Sequence, residues 1–190
     1  MAGLRERRKE LTRQAVEDAA LQLYRERGIH ETTVDELCAR AGVARRTFFR
    51  YYDSKEDVLL SRLHVDIGTV EEVFRRAPDG EPVTALLTRA VDAVLADPLA
   101  FARFADVVLT LPALRALYLG LLAEFEDALR DLVAHRLRIP ADGERARLLA
   151  AAAVTGYRVG LEAWMSMHPR PEPGPVLRRT VTALVEPLAG

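Results

Sequence analysis

Arg45, Arg46, Thr47, Arg50 and Tyr51 place five outward-bonding side chains within seven consecutive positions. A guanidinium fork matches the acceptor edge of guanine and, equally, phosphate oxygens, while a hydroxyl or methyl can meet thymine. Just upstream stands Ala41-Gly42-Val43, where the glycine permits a tight turn between two short helices. Val34, Leu37, Cys38 and Val43 supply the apolar lock such a pair needs, with Phe48 packing from the second helix. This is the spacing of a helix-turn-helix that binds double-stranded DNA. On spacing alone, a plain surface hairpin of helices accounts for it equally.

Other chemistries lack their parts. There is no Gly-rich phosphate loop, no nucleophile elbow and no His/Asp/Glu group at metal-ligand spacing, so no cofactor or metal is expected. His30, His64, His135 and His168 lie in separate segments, and the single Cys38 excludes an internal disulfide framework. The net charge of −1 hides an asymmetry: residues 1–55 carry twelve Lys/Arg and nine Asp/Glu, the remainder fifteen and nineteen. A basic head on an acidic body concentrates phosphate attraction at one end, although a solvated surface can show the same split. Lysine is scarce beside arginine and asparagine is absent, a mark of a GC-rich genome rather than of mechanism. The longest apolar stretch, 148–155, falls far short of the roughly 20 residues of a membrane span. The charged N-terminus has no signal-peptide core. These features predict a cytoplasmic protein without membrane contact.

The elements that must position the polar cluster are all helices. A first helix is predicted from about Arg7 to Arg27, with Leu11, Ala15, Ala19 and Leu23 as its apolar stripe and Gly28 as its stop. A second runs from Val34 to Arg40, capped by Thr32 or Thr33, and a third from Ala44 to Tyr51. Ser54 with Asp57 resembles a capping box that opens a fourth helix reaching Arg76. Further helices follow from Pro82 to Ala96, Pro98 to Leu111, Pro112 to Leu137, and Asp142-Gly143 to Met167. Four prolines in 168–175 predict an exposed loop, and Val176 to Leu188 closes the chain. The fold class is all-α with about nine helices: a three-helix DNA-binding domain over 1–54, then a larger helical domain over 55–190.

Thr32-Thr33-Val34-Asp35-Glu36-Leu37, followed by the unbroken run from Ala41 to Asp57, resembles the DNA-binding signature of TetR-family transcriptional regulators. The likeness covers about residues 8–60. It implies that the helix Ala44 to Tyr51 lies in the major groove, with Arg45, Arg46, Thr47 and Tyr51 near bases or phosphates, and Arg50 joins them as a DNA-binding candidate from its place on the outward face. It also implies that Thr33 and Lys55 grip the DNA backbone from the starts of their helices, where the dipole favours phosphate. Many family members carry tyrosine where this chain has Phe49, which cannot donate to a phosphate and is expected to pack. Asp53 adds an acid near the DNA.

In this family the remaining residues dimerise and enclose an effector, so a homodimer on a palindromic operator is implied. Ala146, Leu149, Ala150, Ala153, Val154, Gly156 and Gly160, with Leu177, Val181, Leu184 and Val185, could form either an intramolecular core or a dimer face. Phe101, Phe104, Tyr118, Phe125, Tyr157 and Trp164, with Leu109, Leu121 and Leu161, are pocket candidates, although each also suits a core. The stretches Pro112-Ala113-Leu114-Arg115 and Leu161-Glu162-Ala163-Trp164 are similar to a mycofactocin-regulator-type subgroup with acyl-CoA-like ligands. Arg103, Arg115 or Arg158 would then meet the anionic head group, though each also suits a surface or ion-paired role. The reading is a ligand-responsive repressor with a small apolar or acyl-CoA-like effector. An architectural DNA-binding protein without effector, or an all-helical enzyme, is the alternative.

Overall fold

A computed structural model describes the backbone of residues 2–189 and the side chains of 7–59, 61 and 67–189; the His64 side chain lies outside the described residues. Regular structure among them is helical throughout: α1 (Ala2–Arg27), α2 (Val34–Ala41), α3 (Arg45–Phe48), α4 (Asp57–Arg75), α5 (Val83–Val94), α6 (Pro98–Thr110), α7 (Pro112–Leu137), α8 (Glu144–Ser166) and α9 (Pro173–Ala189). The chain divides into two compact units, 1–64 with 103–117, and 65–102 with 118–190.

In the first unit the caps follow from side-chain chemistry. Thr33 Oγ1 accepts the Glu36 N–H at 3.3 Å while Thr33 N–H donates to Glu36 Oε2 at 2.9 Å, a reciprocal capping box that starts α2. Gly42, at φ 67°, ends it in the left-handed region that a side chain would disfavour. Ser54 Oγ accepts the Asp57 N–H at 3.0 Å; the Asp57 carboxylate reaches back to the N–H of Asp53, not Ser54. α3 is shorter than its predicted window. After Phe48 the chain tightens, with Arg50 N–H on Thr47 O at 3.3 Å and Tyr51 N–H on Phe48 O at 2.9 Å.

α1 corrects the predicted stripe. Its buried residues are Val16, Ala19, Ala20, Leu23 and Tyr24, whereas Leu11 is 59% exposed and Ala15 half-buried. A strict four-residue spacing rotates about 40° per step on a helix of 3.6 residues per turn. Three steps therefore carry Leu11 off the face that buries Leu23.

In the second unit Asp97 Oδ1 accepts the Ala100 N–H at 2.9 Å, which leaves Pro98 at the first helical position. α8 and α9 pack along a seam of small residues. A Cβ added to Gly156 would lie 2.7 Å from Val181 Cα, and one on Gly160 would lie 3.1 Å from Leu177 Cα. Ala146, Leu149, Ala150, Ala153, Val154, Leu177, Val181 and Val185 are buried in the same way. The glycine stripe is thus an intramolecular core, and of that set Leu184 alone stays exposed. The loop predicted over 168–175 is also corrected. α9 begins at Pro173, so Pro173 and Pro175 occupy its first turn, where a missing N–H costs nothing.

Candidate nucleic-acid interface

α3 and the turn after it have two faces with opposite duties. Phe48 and Tyr52 turn inward, fully buried, with ring centroids 5.4 Å apart. Leu37 and Cys38 of α2 are buried as well, while Val34 and Val43 are half-buried at the lock's rim. This anchoring fixes where the other side chains point. Arg45, Arg46 and Arg50 are exposed, and Thr47 and Tyr51 half-buried.

The three arginines sit in different surroundings. Arg45 Nη1 bonds Asp35 Oδ1 at 2.7 Å, and its guanidinium lies 5.3 Å over the Phe49 ring. Arg50 lies 4.9 Å over the Tyr51 ring and donates to its hydroxyl at 3.2 Å, while Arg13 approaches the same ring at 5.6 Å. Arg46 has no ion-pair partner among the described residues, so binding an anion breaks no existing bond of its own. Phe49 departs from the packing role: it is 44% exposed, touching Phe48 edge-on and covered on one side by Arg45.

Thr33 and Lys55, expected to grip phosphates, are engaged within the protein. The Thr33 hydroxyl bonds Glu36 Oε2 at 2.9 Å, and Glu36 Oε1 lies 2.5 Å from Arg27 Nη1. The Thr33 N–H and hydroxyl hold the Glu36 carboxyl below the usual carboxylate range, with Arg27 adding to the effect. Lys55 Nζ donates to His30 O at 3.1 Å and Thr32 O at 2.9 Å, leaving one proton for an outside acceptor. Tyr24 closes the knot by donating from its hydroxyl to Lys55 O at 2.5 Å. Burial pushes the Tyr24 phenol up, so it remains a donor. Sequence reasoning missed this clasp because its acceptors are main-chain carbonyls, which no residue type advertises.

The pocket candidates are mostly core. Phe101, Phe104, Tyr118 and Trp164 are buried, while Phe125 and Tyr157 are half-buried. Trp164 packs on Phe101 with centroids 5.9 Å apart and donates its indole N–H to Pro171 O at 2.7 Å, fastening the loop before α9. Arg103 and Arg115 are exposed, and Arg158 pairs with Glu162 at 3.4 Å. A cleft of about 610 Å³ opens between α4 and α5, lined by Gly68, Thr69, Glu72, Val73, Arg76, Arg89 and Ala93, none of them a predicted pocket residue. Among the described residues no single helix is long and apolar enough to cross a membrane.

Residues 17–61 match the bacterial regulatory proteins of the TetR family, and residues 81–189 match the MftR C-terminal domain. The second match alone covers more than half of the chain. The chain belongs to the TetR family. This TetR-family protein is therefore a DNA-binding transcriptional regulator, and its curated relatives are regulators too. The HTH-type transcriptional regulator TcmR of Streptomyces glaucescens is 30% identical over 177 residues, covering 85% of this chain and 76% of its own. The fatty acid metabolism regulator protein of Bacillus subtilis is 29% identical over 77 residues, 38% of this chain and 40% of that one. The fold is shared with the transcriptional regulator FadR from Bacillus subtilis, solved in complex with stearoyl-CoA. That likeness has a TM-score of 0.63 at 19% identity and covers 90% of this chain and 97% of that one.

Proposed function

We propose that this TetR-family regulator is a cytoplasmic homodimeric repressor that leaves a palindromic operator when its second domain binds a small apolar or acyl-CoA-like molecule. The observation that carries the DNA reading is the outward face of α3 and the turn after it, where Arg45, Arg46 and Arg50 are exposed while Phe48 and Tyr52 are locked into the core. Residues 1–54 form the reading head and 55–190 the effector and dimerisation domain. Arg45, Arg46, Thr47, Arg50 and Tyr51 meet bases and nearby phosphates. Thr33 and Lys55 border the exposed N-terminus of α2, whose free N–H groups favour an anion.

Self-association has its own support. On the outer side of the α8–α9 pair, Leu148, Val159 and Leu184 are 40% exposed or more, and Leu148 and Leu184 line a shallow apolar groove with Ala152, Thr155 and Leu188. Such a stripe favours a second copy, and paired heads about 34 Å apart match one turn of DNA. Stearoyl-CoA, bound by a structural neighbour, sets the effector class to try first. Within the second unit Phe125 and Tyr157, half-buried, are better placed to meet it than the fully buried Phe101, Tyr118 and Trp164. Phe104 belongs to the other unit. The effector acts by population shift: a bound state that alters the spacing of the heads lowers paired affinity.

The test is a fluorescence-anisotropy titration at fixed salt on DNA flanking the protein's own gene, against random DNA, with and without stearoyl-CoA. Preferential binding released by stearoyl-CoA supports the whole reading. Preferential binding indifferent to it keeps the repressor and removes the effector class. Arg46→Ala is expected to cost about 1–3 kcal/mol on the preferred site and little on random DNA. Equal losses on both would remove its base-reading role.

A further inference from the structure

Phe49 fits neither of the roles open to it as a structural residue. The residue is 44% exposed at the C-cap of α3, and it lacks the hydroxyl that would let it hold a phosphate. It stands four residues after Arg45, hence on the same helical face, with the guanidinium 5.3 Å over the ring. Asp35, from α2, holds that guanidinium by a 2.7 Å bond. One ring face is therefore covered, and an apolar edge is presented beside a guanidinium already positioned.

We propose that Phe49 is a specificity-determining residue that reads the C5-methyl group of a thymine, beside a guanine taken by Arg45, with Asp35 as the positioning residue for the pair. This rests on the DNA interface assigned above. The chemistry is that of the major groove, where the thymine methyl is the one apolar group that projects from a base edge beyond a C–H and an apolar side chain is its complement. Base pairs rise about 3.4 Å per step, so two groups 5.3 Å apart on one helix face address neighbouring pairs. Ring burial against the methyl excludes water from both, an effect worth about four-fold in affinity per methyl.

The experiment starts from a random-sequence duplex library, from which the wild-type protein selects its preferred site at fixed salt. Symmetry-related thymines of that site are then replaced by deoxyuridine, which deletes the methyl and keeps the base pairing. Wild type is expected to weaken about four-fold per methyl at one thymine in each half-site, next to a G·C pair, and to ignore the others. Phe49→Ala should bind thymine and uracil duplexes alike, while Phe49→Leu, apolar but smaller, should keep part of the difference. Circular dichroism of both variants checks that the head is folded. Equal wild-type binding to all the substituted duplexes would overturn the proposal, as would undiminished thymine preference in Phe49→Ala. Failure to enrich any sequence would instead overturn the base-reading interface on which it rests.

Discussion

Lys55 changes meaning between sequence and structure. Its charge stands where a phosphate contact is expected, yet two of its three donors are committed to His30 O and Thr32 O. Lys55→Ala is therefore expected to act twice. Loss of two charge-assisted bonds should cost roughly 1–3 kcal/mol, read as a melting point lower by about 2–4 °C per kcal/mol. Loss of the charge should weaken operator and random DNA alike and flatten the salt dependence. An unchanged melting point would mean that water replaces the clasp at no cost. The outward arginines were legible because charged side chains at helical spacing declare their face. Phe49 was not, because an aromatic beside Phe48 reads as core until the geometry separates the inward ring from the outward one.

Helices themselves were read well where a cap or a proline marks the end. Asp97-Pro98, Thr33 and Pro112 all sit where local chemistry requires them. Faces were read less well. On α1 the drift of a four-residue period moved Leu11 outward, and on α8 the glycines suited an intramolecular seam and a dimer face equally. Only the partner helix decides, and a pattern along one helix does not name its partner. At this scale Gly156→Ala is the decisive change. Its Cβ would meet Val181 Cα at 2.7 Å and Thr180 O at 2.8 Å, backbone atoms that cannot step aside without moving α9. A loss of about 1–3 kcal/mol in urea unfolding is expected, whereas a neutral result would place the tolerance of the seam above what close packing allows.

For the whole molecule, the proposed homodimer is testable at the exposed stripe. Leu148 and Leu184, 46% and 41% exposed, lie on a face that the monomer leaves to solvent. Leu148→Glu combined with Leu184→Glu should halve the mass seen by light scattering at micromolar concentration while leaving the helical circular dichroism unchanged. Specific DNA affinity should fall with it, since a lone head loses the paired contact. A dimer that survives would move the interface to another face. The Tyr24–Lys55 knot has a mechanical consequence at this scale. It joins the end of α1, the approach to α2 and Lys55, two residues before α4, through three hydrogen bonds. A rotation of the first turn of α4 that keeps these bonds carries the end of α1 and the approach to α2 with it, as a gear without backlash. Under the proposed effector mechanism, release then needs only a change of angle and no melting of the head.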